Sequence, residues 1–136
     1  MIAFVPIREM SSVTKQDEVV SFLRKFKQLS KNTDNLVLLR KHPGSKNLEC
    51  LLELGITGKQ AKETALGLSL RDYSKGPEDD RDREGQKIWI FCPHIMGRPL
   101  YVKLVVHTAE TGVERAKILS FHFPEYPMQR PFAQKT

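Results

Sequence analysis

The sequence predicts a single α+β domain in which N-terminal helices pack on an antiparallel β-sheet. Apolar residues recur at helical spacing in the first half of the chain, whereas in the second half they alternate with polar residues. The chain has 136 residues, which is enough for one hydrophobic core. We therefore treat 1–136 as one domain, with an irregular N-terminal extension at 1–13 and a proline-rich tail at 123–136.

Three segments of the first half are predicted to be helical. Thr14 has the form of an N-cap. The apolar positions that follow it at helical spacing are Val19, Leu23, Phe26 and Leu29. A short second helix covers Asn47–Leu54 and is stopped by Gly55. The Thr57–Gln60 segment has the form of a capping box, and it opens a third helix that we expect to end near Ser69.

The remaining segments predict strands and one long loop. Leu36–Leu39 is a short apolar run typical of a strand, whereas 74–86 is polar and is predicted to be a loop. Lys87–Phe91 is a second short strand. Leu100–His107 alternates between apolar and polar residues, which predicts a half-buried strand, and Ala116–His122 returns beside it after a turn.

The composition indicates a basic globular protein. The formal net charge of +6 favours a polyanionic partner, with RNA as the first candidate, although many basic proteins bind no nucleic acid. No apolar run approaches the roughly 18 residues of a membrane span. Met1–Ile7 is short and has no basic leader, so no signal peptide is predicted. Cys50 and Cys92, the two cysteines, are expected to be reduced thiols in the cytoplasm.

Cationic, aromatic and imidazole groups recur in three separated segments, which are Arg71–Lys75, Tyr101–Lys103 and Ser120–His122. RNA cleavage without a metal needs donors for the phosphate charge and a group that moves a proton. His122 is suited to the proton transfer because imidazole titrates near neutral pH. Tyr101 and Lys103 are two residues apart on a strand and therefore share a face.

Several of these segments, in their order and spacing, resemble the MqsR family of toxins from bacterial toxin–antitoxin modules. The similar motifs are Gly67–Lys75, Ile88–Trp89, Gly97, Leu100–Leu104 and Ile118–Phe121. The resemblance implies a RelE-like fold with a curved sheet. It also implies a cytoplasmic mRNA interferase that cuts mRNA without needing the ribosome, binds a cognate antitoxin protein, and is a monomer or homodimer when free. No cofactor is predicted.

The resemblance also suggests roles for individual residues. The catalytic lysine of the family falls on Lys75 and its strand tyrosine on Tyr101. The chain departs from the family where Ile90 replaces a polar glutamine and where His122 replaces a basic residue. The loop before Trp89 is longer than in the family, and the chain continues past the point where the type member ends.

These arguments give a defined set of expected site residues. The predicted catalytic residues are Lys75, Tyr101, His122 and Arg83. The predicted RNA-binding residues are Arg71, Tyr73, Arg81, Arg98 and Lys103. No metal ligands are predicted.

Other interpretations of the same residues remain open at the level of sequence. The chain could be an RNA-binding module without catalysis, which the apolar Ile90 favours, or a protein whose tail or sheet edge docks another chain. Cys92, His94, His107 and His122 could form a metal site, although only one closely spaced ligand pair is present. Each polar residue could also be an ordinary solvent-exposed side chain.

Overall fold

The computed structural model of the protein describes residues 7–31, 35–39 and 45–134, without the side chains of 7–14. The described part is a mixed α+β domain with three α-helices, a five-stranded sheet and a separate two-stranded hairpin. The helices are α1 (Ile7–Leu29), α2 (Lys46–Leu54) and α3 (Gly58–Leu66). The strands are β1 (Val37–Leu38), β2 (Tyr73–Asp79), β3 (Lys87–Phe91), β4 (His94–Ile95), β5 (Arg98–Pro99), β6 (Tyr101–Thr108) and β7 (Glu114–His122).

The large sheet has the strand order β1-β7-β6-β3-β2. Its neighbours are antiparallel except β1, which runs parallel to β7. Strands β4 and β5 form the hairpin. The antiparallel sheet and the helices before it agree with the predicted fold class. The capping box at Thr57 and the left-handed C-cap at Gly55 are also present as predicted.

The first helix is longer than predicted. It begins at Ile7, so residues 7–13 of the predicted irregular extension are helical, and residues 1–6 lie outside the described part. The segment from Ile7 to Leu29 contains no glycine or proline that would stop a helix. Thr14 therefore lies inside the helix instead of capping it.

The first half of the predicted loop 74–86 is instead a strand. Strand β2 pairs with β3 at the edge of the sheet, and its register shifts twice along its length. The shifts interrupt the alternation of polar and apolar residues from which a strand is recognised. Gly76 and Pro77 also occur rarely inside strands, except at sheet edges and bulges. Only the part after Asp79 connects strands, as predicted.

One face of the sheet is covered by the helices. The buried cluster there joins residues of all three helices to inward-facing strand residues. The strand residues in it include Trp89, Phe91, Val102, Leu104, Ile118 and Phe121. The opposite face carries a row of cross-strand partners, Lys75, Ile90, Lys103 and Ser120. Polar side chains on this second face are therefore free to form a site.

A buried asparagine holds the end of β7 in place. Strands β6 and β7 shift register at Leu119, which has no partner across the ladder. The Asn47 amide nitrogen donates to the carbonyls of Leu39 and Leu119 at 2.9 and 3.1 Å, and its oxygen accepts from the Phe121 N–H at 2.9 Å. Asn47 thereby pairs backbone groups of Leu39 and of the end of β7, including the carbonyl of the bulged Leu119. It also fixes the strand end that carries His122.

We expect Asn47→Ala to lower the free energy of unfolding by about 1–3 kcal/mol, because buried backbone groups lose their partners. Urea unfolding monitored by Trp89 fluorescence measures this change. Asn47→Asp should cost at least as much, since a carboxylate cannot donate to the two carbonyls. An unchanged unfolding midpoint for Asn47→Ala would contradict the role assigned to this side chain.

Gly76 lies where β2 approaches β3 closely. Its φ is +115°, and a Cβ there would lie 2.8 Å from the Ile88 carbonyl oxygen. We expect Gly76→Ala to lower the free energy of unfolding by about 1–3 kcal/mol through backbone strain, with the clash adding to it. Gly112 is the matched control, because its φ is +88° but no atom lies within 4 Å of the added carbon. Equal losses in the two variants would contradict the clash.

Candidate functional site: a cavity beneath the C-terminal tail

The C-terminal tail folds back against the domain. Residues 123–134 contain no helix or strand, and 135–136 lie outside the described part. The Arg130 guanidinium donates to the Asp72 carboxylate at 3.1 Å, and both side chains are largely buried. The Phe132 ring stacks on Tyr73 with 5.6 Å between the ring centroids. The tail is thus attached to the residues immediately before Ser74 and Lys75.

A cavity of about 540 Å³, here called the tail cavity, lies between the tail and the sheet. Its volume is in the range of small-molecule sites. The residues that line it are Ser74, Lys75, Tyr101, His122, Pro124, Glu125, Tyr126, Pro127, Met128 and Gln129. Three of the four predicted catalytic residues, which come from three different strands, therefore meet in one place.

Tyr101 and His122 form a pair across β6 and β7. They are direct register partners, and their rings stack with 5.1 Å between centroids and 13° between planes. The His122 Nδ1 lies 2.9 Å from the Phe123 carbonyl oxygen. Because a carbonyl only accepts hydrogen bonds, Nδ1 carries the hydrogen. In the neutral ring, Nε2 is then the nitrogen with a lone pair.

The Tyr101 hydroxyl remains protonated at neutral pH. Burial raises its pKa above the ordinary value, and the nearby Glu78 carboxylate raises it further. Both effects disfavour the phenolate. Tyr101 is therefore a hydrogen-bond donor in this cavity, and it is poorly suited to act as a base.

Lys75 is available to a ligand. Its Nζ lies 3.8 Å from the Glu78 carboxylate, and the lysine side chain is 57% exposed. An exposed pair at this distance contributes little to stability, so an anionic ligand can compete for the ammonium group. Glu78 was not among the predicted site residues. The only feature of the sequence that could have indicated its contact with Lys75 is its position three residues later.

Arg83 does not line the tail cavity. It lines a second cavity of about 580 Å³, here called the loop cavity, on the same face of the sheet. The residues of the loop cavity are Leu39, Asp80, Asp82, Arg83, Gln86, Lys103, Lys117, Leu119 and Ser120. Lys103 lies two residues along β6 from Tyr101, so the two cavities are neighbours. The predicted grouping of Arg83 with the other catalytic residues is therefore not observed.

A chain of hydrogen bonds shapes the loop beside this second cavity. The Asp80 carboxylate accepts from the Asp82 N–H at 2.9 Å and from the Gln86 amide at 2.6 Å. The Gln86 oxygen in turn lies 2.9 Å from His107 Nδ1. Although burial opposes it, these hydrogen bonds and the nearby Lys103 lower the pKa of Asp80. Both Asp80 oxygens are thus used to fold the loop that carries Arg83.

The predicted RNA-binding residues are scattered. The predicted RNA-binding role of Tyr73 is corrected, because this residue is only 5% exposed and belongs to the core. Its ring packs against Trp89, Phe91 and Phe132, so it cannot stack on a base, and its hydroxyl donates to the Gly76 carbonyl at 2.5 Å. Arg98 lies 3.9 Å above the Phe123 ring and pairs with Glu53 at 3.0 Å. The exposed Arg71 and Arg81 line neither cavity.

The metal-site alternative finds no support in the arrangement of side chains. Within 7–31, 35–39 and 45–134, no three His, Cys, Asp or Glu residues are placed to hold a metal ion. Cys50 and Cys92 are buried and unbonded to each other. Burial raises the pKa of Cys50 to about 11 and also raises that of Cys92. Both thiols are therefore protonated near neutral pH and are weak ligands.

The tail wall of the cavity was not predicted from sequence. Three prolines after His122 indicate an irregular segment on the surface, but they do not specify which surface it covers. Tyr126, Met128 and Gln129 line the cavity, and contacts of Arg130 and Phe132 with distant residues hold the tail there.

No protein-family model, no curated protein and no solved structure matches this chain. The similarity to the MqsR family therefore rests on the sequence motifs alone. None of the helices in the described part is long and apolar enough to span a membrane.

Proposed function

We propose that the protein is a metal-independent endoribonuclease, the toxin of a toxin–antitoxin module with a RelE-like fold. It would cut mRNA in the cytoplasm, and a cognate antitoxin protein would hold it inactive. The observation that supports this proposal most is the meeting of Lys75, Tyr101 and His122 in the tail cavity. The three residues come from three separate segments of the chain, and they supply an amine, a phenol and an imidazole to one cavity.

The proposed reaction uses the 2′-hydroxyl of the RNA as its nucleophile. His122 Nε2 removes the proton, the 2′-oxygen attacks the adjacent phosphorus, and the bond to the 5′-oxygen breaks. The leaving 5′-oxygen takes a proton from a water molecule, and His122 afterwards releases its proton to solvent, which leaves a 2′,3′-cyclic phosphate and a 5′-hydroxyl end. The hydrogen bond from Nδ1 to the Phe123 carbonyl orients the ring for this role.

Lys75 and Tyr101 would stabilise the phosphate as its charge increases. The Lys75 ammonium leaves its loose contact with Glu78 and binds a phosphate oxygen. The protonated Tyr101 hydroxyl donates a second hydrogen bond. Both groups act as donors, which is the chemistry that a pentacoordinate phosphorus requires.

The loop cavity would bind the neighbouring phosphate of the same strand. Lys103 lies two residues along β6 from Tyr101, a separation of roughly 6.6 Å. Arg83 and Lys117 line the same cavity as Lys103. These three cations outnumber the two carboxylates of the lining, which belong to Asp80 and Asp82. A substrate that crosses both cavities should bind less tightly as salt increases.

Purified protein incubated with a long single-stranded RNA in EDTA tests this proposal. Discrete fragments that increase with time would support a metal-independent ribonuclease. RNA that stays intact, at protein concentrations where it is bound, would reject catalysis.

A non-catalytic RNA-binding module is the second candidate. It is favoured by Ile90, which lies between Lys75 and Lys103 in the row of cross-strand partners and is only 1% exposed. An apolar side chain supplies no hydrogen-bond donor at this position, where the family that the chain resembles has a glutamine. Salt-dependent RNA binding without any cleavage product would support this candidate.

A further inference from the structure

The two walls of the tail cavity differ in chemistry. The sheet wall presents an amine, a phenol and an imidazole from Lys75, Tyr101 and His122. The tail wall presents two prolines, a thioether, an aromatic ring and a carboxamide. These belong to Pro124, Tyr126, Pro127, Met128 and Gln129. A nucleotide is divided in the same way, because its phosphate is anionic whereas its base has flat apolar faces.

Tyr126 has the position of a binding residue. Its side chain is 78% exposed although it borders the cavity, so it contributes little to the core. No aromatic ring of the described residues stacks on it. Proteins bind single-stranded RNA by stacking bases on aromatic side chains that are accessible in this way.

The tail wall is held firmly beside the catalytic groups. The Arg130–Asp72 pair and the Phe132–Tyr73 stack attach the end of the tail to the segment that leads into Lys75. Glu125, the one acidic residue of the tail wall, is ion-paired with Lys46. Its charge is thereby offset, and it opposes a phosphate in the cavity less than a free carboxylate would.

We propose that the tail wall binds the base of the nucleotide whose phosphate lies at Lys75. The Tyr126 ring stacks on the base, and the Gln129 carboxamide, which both donates and accepts hydrogen bonds, binds its edge. The tail then determines which base is accepted beside the cut. This inference rests on the proposed action on RNA.

The test measures binding separately from cleavage. Four fluorescein-labelled 2′-O-methyl oligonucleotides, each of a single base, bind without offering a nucleophilic 2′-hydroxyl. Fluorescence anisotropy then gives the affinity of the full chain for each base. We expect Tyr126→Ala to bind the preferred oligonucleotide about tenfold to a hundredfold more weakly. Gln129→Ala should make the affinities for the four oligonucleotides more alike, and it should lower their mean affinity less.

Two further variants separate stacking from structural effects. Tyr126→Phe keeps the ring and should recover most of the affinity that Tyr126→Ala loses. Leu52→Ala removes an equally accessible apolar side chain, 72% exposed and outside the cavity, and should bind as the unmodified protein does. Melting temperatures should be alike in all of these variants.

The possible outcomes distinguish this inference from the proposed function. Unchanged affinity and base preference in Tyr126→Ala would overturn the base-binding tail while leaving the RNA proposal intact. No binding of any oligonucleotide by the unmodified protein would overturn both. Weaker binding by Tyr126→Ala, together with no cleavage of unmodified RNA, would support the tail and reject the nuclease.

Discussion

Lys75→Ala is expected to slow RNA cleavage by about 100- to 1,000-fold, the loss typical of removing one donor that stabilises transition-state charge. Lys75 is the only lysine among the residues that line the tail cavity. The side chain is 57% exposed, so the fold should not depend on it. Single-turnover cleavage of a defined RNA in EDTA measures the effect, and thermal unfolding verifies that the variant is folded.

Lys59→Ala provides the matched control for this substitution. Lys59 is an exposed lysine of α3, and it lines neither the tail cavity nor the loop cavity. Its removal lowers the net charge by the same amount but leaves the proposed site intact. If Lys59→Ala and Lys75→Ala slow cleavage equally, the effect belongs to overall charge and the role of Lys75 is wrong.

His122→Asn is expected to slow cleavage by about 100- to 10,000-fold while RNA binding changes little. Asparagine can hydrogen-bond like Nδ1 but cannot carry a proton near neutral pH. Lys75 remains in place to bind phosphate, so the loss should appear in kcat and hardly in KM. Steady-state kinetics with the same RNA separate the two constants.

Two variants narrow the interpretation of His122. Tyr101→Phe keeps the ring that stacks on His122 but removes the hydroxyl, so it should lose activity only through the missing donor. His94→Asn removes an exposed histidine of the β4–β5 hairpin that does not line the tail cavity, and it should cleave normally. Full activity in His122→Asn would exclude His122 as the group that moves the proton.

Local signals in the sequence predicted most of the framework. The Thr57–Gln60 capping box, the Gly55 stop and the alternation in β6 each depend on residues close together in the chain. Strand β2 was not predicted, because its shifted register interrupts the alternation of polar and apolar residues. Its pairing with β3 is a contact between strands that the segment itself does not indicate. The start of α1 was missed because Thr14 has the chemistry of a cap but lies inside the helix.

The site was predictable in part for a similar reason. Tyr101 and His122 lie at the facing ends of two predicted strands, so sheet pairing brings them together, whereas Lys75 was predicted through the family resemblance and lies on the strand that was missed. The positions of Tyr73 and Arg83 depend on contacts that no local pattern of the sequence indicates. Tyr73 is drawn into the core, and Arg83 follows a loop folded by Asp80.

The chemistry of the RNA ends tests the central claim most directly. RNA cut by the unmodified protein in EDTA should carry a 2′,3′-cyclic phosphate on one fragment and a 5′-hydroxyl on the other. A substrate with a 2′-deoxynucleotide at the cut position should resist cleavage there, since the nucleophile is missing. Fragments with 3′-hydroxyl and 5′-phosphate ends, or cleavage of the deoxy-substituted substrate at an unchanged rate, would contradict the account.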